Sequence, residues 1–377
     1  MKIGIDATFI GTENPTGLAV YTRNVVNELA KLHDDIVLWT AAEAGFTLPS
    51  DRIRSVLREF AFLGQKRFMV RPLWMELFFP GLLRRERVDV LYSTVPGGMM
   101  NCPVPHVVTV HDLTPIVYPE DHPRSVRWNY RKRLPKILAR SAAVIADSEH
   151  TKRDIVGHYG LDPNRIKVVS LGYDAATFRP VNDESTLARY GLSRGEYLIA
   201  VGSANRRKNL ETLIAAFSKV TERIPHRLVF VGPISAAQEQ LLRGIARHYR
   251  TEDRLIFTGY IPDYDLPAIY SGASLFAYIS LYEGFGLPVL EAMACGVPVV
   301  ASNTTSIPEV AGNAAILVEP LDCDAVADAI LRIVTDDKLR EHLQRKGQER
   351  ACSFSWENTA EEIHELLLKV YHASVNV

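Results

Sequence analysis

The chain has 377 residues, more than one ordinary hydrophobic core organises and about right for two domains. Hydrophobic residues make up 47% and charged residues 23%, as in a typical globular protein. Because 43 basic side chains stand against 44 acidic ones, the net charge is -1, which argues against a general nucleic-acid-binding protein that needs a basic excess.

The four cysteines, Cys102, Cys295, Cys323 and Cys352, are scattered and form no C-x-x-C pair. We expect them to be structural thiols in a reducing compartment. A strand pattern begins at residue 2, so we expect no signal peptide, and no apolar run approaches the ~18 residues that span a bilayer. The sequence therefore predicts a cytoplasmic protein, with peripheral attachment to the cytoplasmic membrane face left open.

Short runs rich in Val and Ile alternate with helical patterns along the whole chain. The predicted strands of the first half are Lys2–Asp6, Ile36–Thr40, Val88–Ser93, His106–Val110, Ala143–Asp147 and Lys167–Leu171. Those of the second half are Tyr197–Gly202, Arg227–Gly232, Leu255–Gly259, Leu275–Tyr278 and Pro298–Ser302. The predicted helices are Val20–Leu32, Arg127–Ser141, Leu210–Thr221, Gln238–His248 and Val326–Thr335. Unalternating strands between helices indicate parallel sheets covered on both faces, and hence a doubly wound α/β fold.

A polar stretch at 181–193 separates the two series of strands. It predicts a first domain at 1–180 and a second at 181–355, and the final helix at 356–377 could pack on either. In open parallel sheets, ligands bind at the carboxyl ends of strands, near helix N-termini. We therefore expect the chemistry in the loops that follow strands.

The most specific of these loops runs from Ser280 to Pro298. Gly284 and Gly286 let backbone amides approach a ligand, and the helix that follows favours an anion at its N-terminus. Glu283 before the helix and Glu291 in its first turns suit the hydroxyl groups of a sugar or a ribose. The alternative interpretation is an ordinary helix start with a solvated glutamate.

A basic loop follows the first strand of the second half and carries Arg206, Arg207 and Lys208. Such residues at a helix entry suit a diphosphate, although a solvated surface loop is the plainer interpretation. Near the N-terminus, the loop up to Gly17 could face a phosphate or could be a simple turn. The basic loop does not have the P-loop pattern, and the loop before Gly17 lacks the G-x-G-x-x-G fingerprint of dinucleotide-binding proteins.

His111 and Asp112 stand together at the end of a predicted strand. A histidine there could hydrogen-bond a sugar hydroxyl or transfer a proton, and the alternative is a structural role. No serine or cysteine nucleophile pairs with it, so a hydrolytic triad has no support.

These four stretches, in this order, resemble family 4 of the retaining glycosyltransferases over nearly the whole chain. Glu283 and Glu291, with the flanking Gly-Phe-Gly-Leu-Pro, match the E-x7-E motif of that family. The resemblance implies a GT-B fold: two Rossmann-like doubly wound parallel-sheet domains with a cleft between them, the first binding the acceptor and the second the donor. It also implies that helix 356–377 packs back on the first domain, and that the reaction uses no metal or other cofactor.

The resemblance further implies a role for each matching residue. Glu291 would hold the nucleotide ribose, and Glu283 would contact the hydroxyls of the donor sugar. His111 would sit over that sugar. The diphosphate would be neutralised by Lys208 and by Arg207, or by Arg206 in its place. The remaining donor-binding candidates are Gly17 near the diphosphate, the backbone of Phe285, Gly286 and Leu287, and the loop of Tyr260 and Ile261 near the base.

The sequence of the first half, including Asp6-Ala7-Thr8 and His111-Asp112-Leu113, looks most like that of bacterial mannosyltransferases of surface polysaccharide assembly. That similarity implies GDP-mannose as the donor and a glycan or lipid-linked oligosaccharide as the acceptor. A UDP-sugar donor, a sugar-nucleotide epimerase of the same fold and a non-catalytic nucleotide-sugar-binding scaffold are the alternatives. A dehydrogenase has the least support because the dinucleotide fingerprint is missing.

The segment 71–85 is apolar and aromatic with arginines at both ends, and 127–133 is basic and aromatic. The first segment could lie in a membrane interface and bring a lipid-linked acceptor to the enzyme. The alternative is a buried helix that leads into the strand at Val88, because Pro72 and Pro80 would bound an ordinary core helix.

Overall fold

The computed structural model describes residues 1–10, 17–41, 45–56 and 67–375, with the side chains of the last range from residue 70 onward. The chain divides into two compact units. Unit 1 comprises Met1–Gly172 and Trp356–Val377, and unit 2 comprises Tyr173–Ser355. Most of the predicted loop before Gly17, residues 11–16, lies outside the described residues.

Unit 1 is built on a seven-stranded sheet in which all neighbouring strands are parallel. Its strands are β1 (Ile3–Ala7), β2 (Ile36–Thr40), β3 (Ile53–Ser55), β4 (Val90–Ser93), β5 (His106–Val110), β6 (Ala143–Ala146) and β7 (Ile166–Val168), in the order β3-β2-β1-β4-β5-β6-β7. All residues of β1, β2, β4, β5 and β6 are buried, which explains their unalternating apolar sequences. The sequence prediction missed β3, a strand of only three residues.

The helices of unit 1 include one long predicted segment that is not a single α-helix. They are α1 (Gly17–Leu32), α2 (Arg67–Leu77), α3 (Phe79–Glu86), α4 (Thr114–Val117), α5 (Arg124–Trp128), α6 (Leu134–Arg140) and α7 (Glu149–Tyr159). The predicted helix 127–141 is instead α5, a π-helical segment Asn129–Arg133, and α6. Pro135 lies in the first turn of α6 and cannot donate the hydrogen bond that an uninterrupted α-helix requires.

Unit 2 repeats this plan with a six-stranded parallel sheet. Its strands are β8 (Tyr197–Val201), β9 (Arg227–Val231), β10 (Leu255–Gly259), β11 (Leu275–Tyr278), β12 (Val299–Ser302) and β13 (Ile316–Val318), in the order β10-β9-β8-β11-β12-β13. Its helices are α8 (Glu184–Arg189), α9 (Leu210–Ser218), α10 (Ala236–His248), α11 (Leu266–Gly272), α12 (Leu287–Ala294), α13 (Ile307–Ala311), α14 (Cys323–Thr335) and α15 (Asp337–Ala351). The core between β9, α9 and α14 contains Phe230, Phe217 and Ile330, all buried.

The chain returns to unit 1 in its last helix, α16 (Trp356–Val375), which packs along α1. The Thr359 hydroxyl of α16 donates a hydrogen bond to the Ser170 carbonyl at 2.8 Å. The boundary between the units lies after Gly172, a few residues before the predicted boundary after Pro180. The residues between pack on unit 2, where the Phe178 ring meets the edge of Tyr270 at 6.3 Å.

Candidate active site

The candidate donor site of unit 2 lies where the strand order of its sheet reverses. The neighbouring strands β8 and β11 are separated along the chain by β9 and β10, and their carboxyl ends meet at this point. The short 3-10 helix Arg206–Lys208 follows β8, and the loop that carries Glu283 follows β11. Ligands of doubly wound sheets bind at such a reversal because the loops on either side diverge and leave a crevice.

Three of the predicted catalytic side chains are in direct contact here. Lys208 Nζ lies 2.5 Å from Glu283 Oε1, and Arg207 Nη1 lies 2.7 Å from Glu283 Oε2. Lys208 also donates to the Tyr278 hydroxyl at 2.6 Å. Of the two arginines that the sequence left open, Arg207 therefore belongs to the cluster, whereas Arg206 is exposed. Two cations on one carboxylate leave the cluster with a net positive charge.

Lys208 and Glu283 are buried and Arg207 is partly buried, and their charges hold one another in the ionised state. Burial raises the pKa of Glu283, but Lys208 and Arg207 together outweigh burial and bring it down to about 2. Glu283 is thus a carboxylate at any physiological pH. An anion that enters the site would find a positive charge already fixed by the protein fold.

Hydrogen bonds from the loop after β12 fix the conformation of the loop after β11. The Ser306 hydroxyl lies within hydrogen-bond distance of the Glu283 carbonyl, at 3.0 Å, and of the Phe285 carbonyl, at 2.8 Å. The Glu283 amide donates to Thr305 Oγ1 at 3.3 Å. Thr305 has a φ of 59°, which is unfavourable for a β-branched residue and shows that its surroundings impose this conformation.

Two glycines make this arrangement possible. Gly286 has a φ of 116° and stands directly before α12, so it turns the chain into the helix. Gly232, at the end of β9, has a φ of 134°, and a Cβ atom there would lie only 2.5 Å from the Gly202 carbonyl oxygen. The loops after β8 and β9 therefore approach each other closely, and a residue with a Cβ atom at position 232 would push them apart.

Glu291 lies in α12 and contacts a different partner from Glu283. The Tyr270 hydroxyl donates to its Oε2 at 3.3 Å. Burial raises the pKa of Glu291 to about 7, and no cation contacts it among the described residues. A carboxyl group in this state is suited to accept hydrogen bonds from added hydroxyl groups, since they would favour its ionised form.

The other predicted donor-binding residues differ in whether their side chains are exposed to solvent. Phe285 is buried against Phe354, with 5.9 Å between ring centroids, so only its backbone could reach a ligand. Leu287 is the first residue of α12. After β10, the Ile261 side chain is buried whereas Tyr260 is 47% exposed.

The two remaining candidates belong to unit 1. Gly17 is the exposed first residue of α1. His111 follows β5 and is buried, with Nδ1 2.7 Å from Asp147 Oδ2 and Nε2 2.9 Å from the Thr94 carbonyl oxygen. Both ring nitrogens are therefore engaged within unit 1, and the contact of His111 with a donor sugar stays a prediction.

Sequence reasoning missed several residues that shape these sites. Tyr278, Ser306, Thr94 and Asp147 all lie at or just after the carboxyl end of a strand. That position is the signal that could have identified them, because polar side chains at this edge face the ligand side of a parallel sheet. Among the described residues, no group of three or more His, Cys, Asp or Glu side chains is arranged to hold a metal ion.

Comparison with known proteins identifies the family. Residues 186–350 match the family model described as glycosyl transferases group 1, and residues 15–177 match that of glycosyltransferase family 4. The O-antigen chain mannosyltransferase B of Escherichia coli is 35% identical over 256 residues, which are 67% of each chain. The chain belongs to glycosyltransferase family 4. As a member, this glycosyltransferase is a hexosyltransferase.

Two further proteins are similar to this glycosyltransferase, one in sequence and one in fold. The serotype-specific mannosyltransferase WbdA of Escherichia coli is 30% identical over 274 residues, which are 69% of this chain but only 33% of WbdA. The structure of Anabaena HepE in complex with UDP and glucose superposes with a TM-score of 0.75, at 19% identity over 98% of this chain and 100% of HepE. The second similarity shows the fold, which is GT-B, as the sequence predicted.

Proposed function

We propose that this glycosyltransferase moves mannose from GDP-mannose to a glycan acceptor with retention of the α-anomeric configuration, in polysaccharide biosynthesis. The observation that carries the proposal is the buried Arg207–Lys208–Glu283 cluster, which joins a fixed positive charge to a sugar-binding carboxylate at the sheet reversal. The names of the two mannosyltransferase relatives support the choice of sugar.

Each residue of the donor site has a chemical role in this proposal. Arg207 and Lys208 bind the diphosphate and stabilise the negative charge that grows on it as the glycosidic bond breaks. Glu283 then accepts hydrogen bonds from the sugar hydroxyls, and Glu291 accepts them from the ribose. In this proposal the two cations neutralise the diphosphate without a metal ion.

A UDP-sugar is the second candidate donor. It is favoured by the likeness to HepE, whose structure contains UDP and glucose. Of the base-binding residues proposed here, Tyr260 is 47% exposed and Ile261 has a buried side chain, so they offer a base an exposed ring and backbone groups.

Thermal unfolding with nucleotides tests the donor. GDP, UDP, ADP, GDP-mannose and UDP-glucose are each added with and without magnesium. A ligand at ~100 times its Kd stabilises the fold by about 2.7 kcal/mol, so a clear rise of the midpoint is expected with GDP and GDP-mannose alone, regardless of magnesium. A rise with the UDP compounds instead would reject GDP-mannose. Proton NMR of the product then reports the anomeric configuration, and a β-linkage would reject retention.

We further propose that the acceptor is lipid-linked and reached at a membrane surface. None of the helices in the described ranges is long and apolar enough to cross a membrane. The sequence left open whether the segment 71–85 is a core helix or a membrane-facing segment, and it has both a buried and an exposed apolar face. Met75, Phe79 and Leu83 are buried in the core, whereas Leu73, Leu77 and Phe78 are at least 60% exposed.

Exposed cations lie on the neighbouring segment of unit 1. Trp128 is 57% exposed, and Arg124, Arg131 and Lys132 beside it are exposed as well. The ion pair between Arg133 and Glu76, at 2.9 Å, joins this segment to α2. Apolar side chains beside basic ones suit an anionic lipid surface.

Co-sedimentation with vesicles tests this surface. The wild type is expected to sediment with vesicles of phosphatidylglycerol and to stay in the supernatant with phosphatidylcholine. Leu73→Ser with Leu77→Ser should lower the bound fraction several-fold, because two exposed apolar contacts are lost. Leu241→Ser with Leu321→Ser is the matched control, since these leucines of unit 2 are 57% and 65% exposed. Equal loss in both double variants, or no binding by the wild type, would reject the proposal.

A further inference from the structure

The protonation of His111 is constrained by its two hydrogen-bond partners. Nε2 lies 2.9 Å from the Thr94 carbonyl oxygen, which can only accept, so Nε2 must carry a proton. Nδ1 lies 2.7 Å from Asp147 Oδ2. One further proton lies between these two atoms, because a bare nitrogen and a bare carboxylate would repel each other. The pair is therefore either imidazolium with carboxylate or neutral imidazole with carboxylic acid.

The surroundings of His111 decide between these two states. Burial lowers the pKa of His111, but Asp147 and the hydrogen bonds to Asp147 and Thr94 outweigh burial, so the pKa is raised overall. Burial also raises the pKa of Asp147, which favours the neutral pair, and His111 opposes that rise. Asp112, next to His111 in sequence, raises the pKa of both His111 and Asp147, so it favours a proton on the pair. The geometry favours the charged pair, because Nε2 donates to the Thr94 carbonyl and an imidazolium makes the stronger donor at both ring nitrogens. The Tyr21 ring packs edge-on at 4.5 Å, and burial raises the pKa of Tyr21 far enough to keep it neutral.

The pair is also locked in place. Asp147 is 2% exposed and His111 9% exposed, and the Thr151 hydroxyl of α7 donates to the His111 carbonyl at 3.2 Å. Asp147 Oδ1 has no hydrogen-bond partner among the described residues, so the carboxylate depends on His111 for compensation of its charge. Rotation of the ring would break two hydrogen bonds and leave a buried carboxylate alone.

We propose that Asp147 is a positioning residue that keeps His111 doubly protonated and in one orientation through neutral pH. In the glycosyl transfer proposed above, His111 then supplies a fixed positive charge and does not act as a base. Asp147 lies outside every motif that the family resemblance drew on, and it acts only through His111.

Nitrogen NMR of the whole protein tests the protonation directly. With 15N-labelled histidine, both ring nitrogens of His111 are expected at imidazolium chemical shifts at pH 8, where ordinary histidines are neutral. In Asp147→Asn the imidazolium signals should be lost at pH 8, because an amide carries no charge and burial then lowers the pKa of His111. A neutral His111 in the wild type at pH 8 would overturn the proposal.

The rate of transfer gives a second readout. We expect the kcat of the wild type to be flat between pH 6 and 8, whereas the kcat of Asp147→Asn should fall as the pH rises, to about a tenth or less at pH 8. The donor KM should change little. Asp147→Glu, which keeps the charge, should restore part of the rate and the imidazolium signals. A wild-type pH profile in a folded Asp147→Asn would also overturn the proposal.

Asp154→Asn is the matched control. Asp154 lies 3.3 Å from His150 in α7, another histidine–carboxylate pair on a neighbouring turn. This variant should leave the His111 signals and the pH profile unchanged, and the same shift in both variants would overturn the assignment. The rates depend on the proposed transfer, whereas the nitrogen shifts do not, so a wrong substrate and a wrong His111 protonation are distinguishable.

Discussion

Lys208→Ala is expected to lower the kcat of sugar transfer by about a hundredfold or more. In the described part of the chain Glu283 pairs with two cations, and the removal of Lys208, one of them, cancels the net positive charge of the cluster. The loss should appear in kcat more than in donor KM, because the charge on the diphosphate grows as the bond breaks. Steady-state kinetics with the preferred donor measures it.

The same substitution should also destabilise the fold. It removes one partner of Glu283 and the donor to the Tyr278 hydroxyl, at a cost of about 1–3 kcal/mol. Lys208→Met keeps much of the volume of the aliphatic stem but carries no charge, so it should recover part of the unfolding midpoint lost in Lys208→Ala without recovering activity. Recovery of both would show that the cluster is structural and reject its role in catalysis.

Lys219→Ala is the matched control for Lys208→Ala. Lys219 makes an ion pair with Asp324 at the same 2.5 Å, but its side chain is 45% exposed. Solvent screens such a pair, so its loss should change kcat by less than about twofold and leave the unfolding midpoint nearly unchanged. A loss of activity equal to that of Lys208→Ala would place the effect outside the active site.

Glu291→Gln is expected to change how stability and nucleotide binding depend on pH. The pKa of Glu291 is raised to about 7 in the folded protein, against an ordinary value near 4.5. Between these values the unfolded chain releases this proton first, so the stability contributed by Glu291 is lost as the pH rises from about 4.5 to 7. Glu291→Gln cannot ionise, so its unfolding midpoint at pH 8 should exceed that of the wild type without nucleotide.

With bound nucleotide, the unfolding midpoint of the wild type at pH 8 should exceed that of Glu291→Gln. Ribose hydroxyls donate to the ionised carboxylate, so wild-type affinity for GDP should rise through pH 7 as Glu291 ionises, about tenfold between pH 6 and 8. The GDP phosphate also titrates in this range, with a pKa near 6, so the relevant quantity is the difference in Kd between wild type and Glu291→Gln.

A control variant separates this effect from general pH sensitivity. Arg247 holds the pKa of Glu252 below its ordinary value, so Glu252 is already ionised throughout this pH range. Glu252→Gln should therefore keep the wild-type pH dependence of GDP binding, measured by isothermal titration calorimetry. An identical pH dependence in wild type and Glu291→Gln would reject the ribose contact.

The residues that the sequence identified in the donor site are those with a local signature. Glu283, Gly286 and Glu291 stand at fixed distances along one strand–loop–helix unit, so their spacing alone indicates an anion and hydroxyl site. The basic loop at Lys208 follows another strand of the same sheet. That both loops meet at one point depends on the strand order, which places β8 beside β11.

Contacts over long sequence distances could not be predicted in this way. Arg207 and Arg206 are neighbours of the same type, and only the folded loop directs one of them to Glu283. His111 and Asp147 are 36 residues apart and meet because their strands, β5 and β6, are adjacent and in register.

The sequence by itself thus determined the α/β class, the family and the residues of the E-x7-E motif, because periodicity, turn residues and motif spacing are local properties of the chain. The tertiary structure decided which arginine pairs with Glu283, the raised pKa of Glu291 and the lock on His111. These depend on burial and on partners from distant strands, since desolvation and charge pairing are set by what surrounds a group in space.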